Sequence, residues 1–130
     1  KSRDFWMPFA PAIKDEDSNL IFENKKKICS RFMTSAFKIK EKQKEKFASA
    51  SHPKDGTIRP QTVSKKNNPN FYDLLTENKK KSGMSGVLNT SFNLHGEPIV
   101  YTPKDAIDVF KRSGLKNLAL NNFILKKTNN

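Results

Sequence analysis

The residues of this chain that could do chemistry are mainly residues that bind anions. The segment Asn89-Thr90-Ser91-Phe92-Asn93 combines amide and hydroxyl side chains directly after a short apolar run. A loop of this kind at the carboxyl edge of a sheet is where ligands usually bind in open α/β folds, and it can hold phosphate oxygens. The same residues could equally form a turn whose side chains bond to their own backbone. The cations Lys1, Arg3 and Arg59 complete the anion-binding candidates.

The charge of the chain admits two interpretations. The formal net charge is +12, which is compatible with a nucleic-acid partner. However, 21 of the 25 basic residues are Lys and 13 residues are Asn, a composition that a genome poor in G and C also produces. The lysine runs lack interleaved aromatic residues on which bases could stack, so we interpret them as solvated faces. The four arginines are more informative, because a planar guanidinium can grip phosphate or carboxylate with two hydrogen bonds.

The motifs that the sequence lacks disfavour several kinds of site. His52 and His95 have no second histidine or carboxylate cluster at metal-ligand spacing, so we expect no metal site in this chain. Nucleophile elbows of the Gly-x-Ser-x-Gly type and Walker or dinucleotide glycine loops are missing as well.

The single cysteine, Cys29, cannot form an internal disulfide, which is typical of a protein in the reducing cytoplasm. No apolar run approaches the roughly 20 residues of a membrane span, so no membrane partner is expected.

The elements that must position these residues are predicted from local signals. One helix is predicted from the N-cap Asn68 and Pro69 to Gly83, and a second from Thr102 to Gly114. Alternation and turn residues predict strands at residues 31–40, 58–63, 97–101 and 118–125, and an apolar strand that runs from residue 86 into the polar loop. Residues 1–14 are predicted to be extended, residues 41–46 to be a helical turn or a loop, and residues 126–130 to be a polar tail.

This order of elements predicts the fold class. Helices that join strands over about a dozen residues indicate an α/β fold with a mixed sheet and a few crossover helices. Because the chain begins abruptly with apolar and aromatic residues, we expect the true domain boundary to lie upstream of residue 1.

Four segments carry a resemblance to a known family. They are Arg3-Asp-Phe-Trp-Met-Pro-Phe-Ala-Pro11, residues 52–63 with the core Asp-Gly-Thr-Ile-Arg-Pro-Gln-Thr, Leu88-Asn-Thr-Ser-Phe-Asn-Leu-His-Gly-Glu-Pro-Ile-Val100, and Thr102-Pro-Lys-Asp-Ala106. Together they resemble the C-terminal region of the carbamoyltransferase family that includes NodU and CmcH. The resemblance covers nearly the whole chain, residues 1–130, in the right order.

The resemblance implies a fold and an activity. It implies a YrdC-like twisted mixed sheet that is a fragment of a larger two-domain enzyme, joined to an N-terminal Kae1-like domain that is absent from this chain. The YrdC-like part is implied to use carbamoyl phosphate and ATP with Mg²⁺ to make carbamoyl-adenylate. The Kae1-like part, with a histidine-bound metal ion such as iron, would pass the carbamoyl group to a hydroxyl or amine.

The resemblance also implies roles for individual residues. Lys1-Ser-Arg3 matches a Lys-x-Arg pair, Ser91-Phe-Asn93 matches a Ser-x-Asn motif, and Arg59 corresponds to the arginine after Asp-Gly-Thr. The implied catalytic residues are Lys1, Arg3 and Arg59, which would lower the repulsion between anionic oxygens as pyrophosphate departs. The residues expected to bind ATP or carbamoyl phosphate are Ser91, Asn93, Asn89, Thr90, Thr57 and His52.

Two other classes of function stay open from the sequence alone. A basic RNA-binding module without catalysis is the alternative that the net charge favours, although a nucleic-acid partner is the less favoured reading. A purely structural partner domain is a further possibility. The acceptor of the carbamoyl group cannot be read from these residues.

Overall fold

The computed structural model describes residue 4 and residues 6–128. These residues fall into two compact units, one within Phe5–Thr90 and the other within Ser91–Asn130, with Asp4 belonging to the second. We call them the N-terminal unit and the C-terminal unit. Within the described residues, no helix combines the length and the apolar composition that crossing a bilayer requires.

The described residues form a mixed α/β arrangement, as the sequence predicts. The strands are β1 Ala10–Lys14, β2 Phe37–Lys38, β3 Thr57–Ile58, β4 Gln61–Val63, β5 Gly86–Asn89, β6 Asn117–Leu120 and β7 Phe123–Lys126. The α-helices are α1 Ser18–Ile21, α2 Pro69–Ser82 and α3 Pro103–Arg112. Single 3-10 turns lie at Asp15–Asp17, Glu41–Gln43 and Ala48–Ala50, so the charged segment 41–46 begins as a helical turn.

The main sheet of the N-terminal unit places β1 at its centre. β4 lies parallel to β1 and β5 lies antiparallel to it on the other side. One face of β1 contributes Ala12 to a cluster with Val63 of β4 and Leu75 of α2. The other face contributes Ile13 to the larger apolar cluster of this unit, whose other members are Ile21, Phe22, Phe37, Ile39, Phe47 and Ile58. The alternation of β1 therefore builds two cores, one on each face of the sheet.

Gly86 is required by the close packing of β5 against β1. A Cβ atom at residue 86 would lie 3.1 Å from the carbonyl oxygen of Ala12 and 3.3 Å from side-chain carbons of both Ile13 and Phe47. The missing side chain lets the two strands and the aromatic ring approach one another.

Both longer helices confirm their predicted start signals, and α2 also ends at its predicted glycine, whereas α3 ends at Arg112 with Ser113 and not Gly114 as its C-cap. At the start of α2 the Asn68 side chain accepts a hydrogen bond from the Phe71 N–H at 3.2 Å, and Gly83 ends the helix with φ +71°. α3 begins with a capping box, in which Thr102 and Asp105 each bond to the other's backbone N–H. Local capping chemistry therefore fixes both helices.

The strand predictions in the N-terminal unit were too long. Of residues 31–40, only the two residues of β2 form a strand. Met33 adopts φ +58°, which interrupts the extended backbone on the N-terminal side of β2. The predicted strand at residues 58–63 is divided into β3 and β4 at Arg59 and Pro60. Proline lacks the N–H that a sheet ladder needs, which explains the break.

Two further predictions were wrong in the C-terminal unit. Residues 97–101 form no strand, because Pro98 lacks an N–H and the Val100 N–H closes a loop onto the Phe92 carbonyl at 3.1 Å. Residues 118–125 form not one strand but the hairpin of β6 and β7, in which Leu118 pairs with Leu125. The turn places Asn121 at φ +52°, a conformation that Asn tolerates in two-residue hairpin loops.

The polar tail begins later than residue 126. Lys126 belongs to β7, and the Lys127 N–H bonds to the Lys116 carbonyl at 3.0 Å. The Lys127 ammonium also donates to the carbonyls of Lys111 and Ser113 at the end of α3, where a cation stabilises the negative end of the helix dipole. Beneath the hairpin, Ala106, Phe110 and Leu118 form the core of this unit.

Candidate functional site

The predicted site residues fall into three groups. Lys1 and Arg3 lie outside the described residues, so their predicted role stays a prediction. His52, Thr57, Arg59, Asn89 and Thr90 belong to the N-terminal unit, and Ser91 and Asn93 belong to the C-terminal unit.

The Asp-Gly-Thr segment forms a tight turn that is held by the side chain of Asp55. Its Oδ1 accepts the Thr57 N–H at 2.9 Å and the Thr57 hydroxyl at 2.8 Å. These hydrogen bonds from Thr57 lower the pKa of the Asp55 carboxyl, because they stabilise its charged form. Gly56 turns the chain with φ +64°. The Thr57 hydroxyl therefore shapes the turn that leads into β3.

His52 closes the same turn and lines a cleft. Its N–H donates to the Thr57 carbonyl at 2.8 Å, and its carbonyl accepts the Gly56 N–H at 2.9 Å. The imidazole Nδ1 lies 3.5 Å from Asp55 Oδ1 but lacks the geometry of a hydrogen bond with it. The imidazole is therefore close to the carboxylate without being fixed by it.

The cleft beside His52 has a volume of about 420 Å³ and includes three lysines, Lys38, Lys44 and Lys54, in its lining. The Lys38 ammonium donates to the Asp55 carbonyl at 2.6 Å, and Lys44 forms an ion pair with Glu41 at 2.7 Å. Among the described residues, Asp55 is the one carboxylate in the lining of this cleft, and Glu41 offsets the charge of Lys44 from outside it. The sequence did not single out these lysines, because Lys38 reaches the cleft only through the pairing of β2 with β3.

Arg59 differs from the other arginines that the structure describes. Arg112 is bound by Glu97 and Asp108. Arg31 donates from Nε and Nη2 to Asn67 at 3.1 and 3.2 Å when that amide is oriented with its oxygen towards the guanidinium. The exposed guanidinium of Arg59 forms neither a hydrogen bond nor an ion pair with any residue in the described part of the chain.

The backbone on both sides of Arg59 is buried and braced. Ile58 is buried, and Pro60 is among the fully buried side chains. Ser30, also fully buried, donates its hydroxyl to the Pro60 carbonyl at 2.7 Å, and its own carbonyl accepts the Thr62 N–H at 2.7 Å. Because the backbone is already fixed, only the Arg59 side chain has to be ordered when an anionic group binds.

Asn89 is tied to the strand that follows Arg59. Its amide Nδ2 donates to Gln61 Oε1 at 2.7 Å, although the two residues lie on β5 and β4, on opposite sides of β1. The β1 residues beside them in register are Ala10 and Ala12, which are short enough to let the longer side chains meet. Gln61 was missed from the sequence, because its partner depends on strand register.

The hydroxyl and amide loop is held by its own side chains in the C-terminal unit. Ser91 Oγ donates to Asn93 Oδ1 at 2.7 Å, and Asn93 Nδ2 donates to the Glu97 carbonyl at 2.6 Å. The bond from Asn93 to the Glu97 carbonyl is of the kind that a turn whose side chains bond to their own backbone would make. It does not exclude a ligand role for Ser91, because a hydroxyl has acceptor capacity beside the proton that it donates.

Metal-ligating side chains are not grouped in the described part of the chain. No three His, Cys, Asp or Glu residues there lie close enough together to hold an ion. Cys29 is a free thiol at the surface.

Comparisons with known proteins find similar sequences over nearly the whole chain. The sequence model described as the carbamoyltransferase C-terminus matches residues 1–127. An uncharacterized protein of Methanocaldococcus jannaschii is 40% identical over 127 residues, which are 98% of this chain and 20% of that protein. The nodulation protein NolO of Bradyrhizobium diazoefficiens is 36% identical over 128 residues, which are 98% of this chain and 23% of NolO.

A third relative is the nodulation protein NolNO of Sinorhizobium fredii. It is 34% identical over 131 residues, which are 98% of this chain and 19% of that protein. The chain thus spans about a fifth of the length of the curated relatives that it matches.

Proposed function

The chain belongs to the carbamoyltransferase C-terminus family, and on that premise we propose that it binds carbamoyl phosphate and ATP for a carbamoyltransferase. The reaction proposed for the site is the formation of carbamoyl-adenylate. Carbamoyl phosphate is hydrolysed to carbamate and inorganic phosphate. A carbamate oxygen then attacks the α-phosphorus of ATP, a new P–O bond forms, and pyrophosphate leaves.

One observation carries the proposal, namely the exposed guanidinium of Arg59 on a buried and braced backbone. In a chain with 21 Lys and four Arg, an arginine without a protein partner among the described residues has its five N–H donors available for a ligand. Phosphate oxygens match the fork of a guanidinium and form two parallel charge-assisted hydrogen bonds with it. Arg59 would stabilise the charge that builds up on the phosphates as the new bond forms.

The other residues have supporting roles in this proposal. Ser91 contacts the ligand, and Thr57 and His52 hold the turn from which Arg59 projects. Asn89 and Asn93 maintain the shape of the loop that follows β5, and Thr90 lies within that loop. Lys1 and Arg3 add positive charge on the strength of the family resemblance.

The nucleotide brings Mg²⁺ with it, and the ion is held chiefly by phosphate oxygens and water. On the strength of the family resemblance, transfer of the carbamoyl group to a hydroxyl or amine would belong to a Kae1-like domain of the full-length polypeptide, where histidines would hold a metal ion.

Pyrophosphate release from ATP and carbamoyl phosphate by the full-length polypeptide tests the proposal. Arg59→Ala is expected to lower kcat/KM by roughly 10- to 100-fold, since hydrogen bonds to charged groups contribute about 1.5–3 kcal/mol. Arg59→Lys should recover only part of this loss, because lysine cannot form the two parallel bonds. The matched control is Arg31→Ala, which removes the same charge from an exposed arginine of the same unit. Equal rates for Arg59→Ala and this control would refute the assignment.

RNA binding is the second candidate, and the net charge of +12 favours it. A binder driven by phosphate contacts loses affinity steeply as salt rises, whatever the RNA sequence. Tight binding of unrelated RNAs with that salt dependence, together with undetectable binding of carbamoyl phosphate, would favour this function over the first.

A further inference from the structure

We propose that Arg112 is a positioning residue for the hydroxyl of Ser91, acting through Glu97 and Asn93. The inference rests on the proposed function, because it gives a role to a residue that supports the ligand-binding loop. It assigns to Arg112 a function that neither the family motifs nor the capping of α3 explains.

Arg112 is held by two carboxylates, which engage its Nε, Nη1 and Nη2 atoms. Its Nη1 lies 2.6 Å from Glu97 Oε1 and its Nη2 lies 3.0 Å from Glu97 Oε2. Its Nε and Nη2 also reach Asp108 Oδ2 at 2.9 and 2.8 Å. The fork-to-fork contact with Glu97 fixes the orientation of that side chain as well as its position.

Glu97 transmits this restraint to the loop through its main chain. Its carbonyl accepts Asn93 Nδ2 at 2.6 Å. Because the nitrogen of the Asn93 amide faces that carbonyl, the oxygen of the same amide faces Ser91 and accepts its hydroxyl proton at 2.7 Å. A rigid side chain at the end of α3 is thus linked by three consecutive contacts to a hydroxyl that was predicted to bind ligand.

Main-chain hydrogen bonds close the loop of residues 92–100 on itself, so the restraint that Arg112 places on Glu97 acts within this loop. The Val100 N–H bonds to the Phe92 carbonyl at 3.1 Å, and the Glu97 N–H bonds to the Leu94 carbonyl at 3.2 Å. Phe92 and Val100 pack against the core of the C-terminal unit, which anchors both ends of the loop. Glu97 lies between these anchors, so its orientation decides where Asn93 can place its amide.

The identity of the cation matters for this role. A lysine in place of Arg112 would keep the charge but offer a single ammonium, which cannot hold both oxygens of Glu97 in a fixed plane. In a chain whose basic residues are mostly lysine, an arginine at this position is consistent with a need for geometry and not only for charge.

The experiment compares Arg112→Lys with a matched control, Asp108→Asn, in pyrophosphate release by the full-length polypeptide. Asp108 binds the same guanidinium, and within the described residues no hydrogen bond or ion pair joins it to the loop, so its variant removes an Arg112 ion pair without touching Glu97. Ser91→Ala identifies the substrate whose KM depends on the Ser91 hydroxyl. We expect Arg112→Lys to raise the KM of that same substrate by roughly 5-fold, which lies within the range of coupling energies between neighbouring residues. The KM of the other substrate should not change, and Asp108→Asn should stay within about twofold of the wild type.

A double variant separates positioning from a general structural effect. If Arg112 acts through Ser91, adding Arg112→Lys to Ser91→Ala produces no further loss, whereas independent effects multiply. Multiplying effects, or an Arg112→Lys enzyme that behaves like the wild type while Ser91→Ala is impaired, would overturn the inference and leave the proposed function intact. A Ser91→Ala enzyme with unchanged kinetics would instead remove the ligand role of Ser91 on which the proposed function draws.

Glu97→Gln provides a second variant in case Arg112→Lys does not fold. It keeps the main-chain carbonyl and the size of the side chain but loses the charge that pairs with Arg112. Faster hydrogen exchange at the amides of residues 92–100 in Glu97→Gln than in Asp108→Asn is the expected result, and equal exchange contradicts the role of Glu97.

Discussion

Replacement of Ser30 by alanine tests how the backbone beside Arg59 is held. The Ser30 hydroxyl lies 2.7 Å from the Pro60 carbonyl, and both side chains are fully buried. Ser30→Ala removes the donor and leaves the carbonyl in an apolar environment that water does not reach. An unsatisfied buried acceptor of this kind costs about 1–3 kcal/mol, so we expect the free energy of unfolding to fall by about 2 kcal/mol.

The matched control is Ser82→Ala near the end of α2. Its hydroxyl also bonds to a carbonyl, that of Asn78 at 2.8 Å, but at the surface, where water replaces the lost donor. We expect a change within about 0.5 kcal/mol for that variant. Urea unfolding followed by far-UV circular dichroism measures both free energies. Hydrogen exchange at the Thr62 amide, which bonds to the Ser30 carbonyl, reports on the same segment locally.

Two outcomes show whether the Ser30 hydrogen bond stabilises the segment beside Arg59. A loss in Ser30→Ala that exceeds the loss in Ser82→Ala, with faster exchange at Thr62, supports a braced segment. Equal free energies for the two variants would show that the buried hydrogen bond does not stabilise the segment, and the pre-organised backbone of Arg59 would then lose its physical basis.

Two further predictions concern the close packing of β5 and the Asp-Gly-Thr turn. Gly86→Ala should lower the free energy of unfolding by about 1–3 kcal/mol, since its Cβ would press on Ala12 and on Phe47; an unchanged urea midpoint would contradict the close approach. The lowered pKa of Asp55 means that its contribution to stability is complete above its ordinary pKa of 3.8 and is lost as the pH falls through the lowered value. Thermal unfolding between about pH 5 and about pH 2 should therefore show a weaker pH dependence for Asp55→Asn than for the wild type, and identical profiles would rule out this linkage.

The sequence predicted those elements whose signals are local. α2 and α3 were correct because a capping side chain and a proline act at the start of each helix, and a glycine ends α2. The mixed α/β class followed from the order of these helices and the apolar runs between them.

The errors have physical causes that alternation of side chains does not reveal. Pro60 and Pro98 each interrupt an extended run, and the positive φ of Asn121 folds one apolar run back on itself. In each case a backbone property outweighed the apolar pattern on which the strand prediction was based.

The residues of the candidate site also divide into those that local sequence signals identify and those whose contacts depend on the fold. Arg59 could be singled out from its residue type and its place after a turn. Gln61 could not be, because its bond to Asn89 depends on both strands pairing with β1. Arg112 was likewise not assigned, since its partner Glu97 lies 15 residues away along the chain.

The central place of β1 has a consequence for the order of events during translation. Ile13 pairs with Thr62 and with Gly86, both of which leave the ribosome long after it. β1 therefore stays unpaired while the nascent chain lengthens. Pairing between strands that are far apart in the sequence is slow and leaves apolar residues exposed to aggregation. Within this part of the polypeptide, chaperone binding should accordingly concentrate on β1 until β5 has emerged.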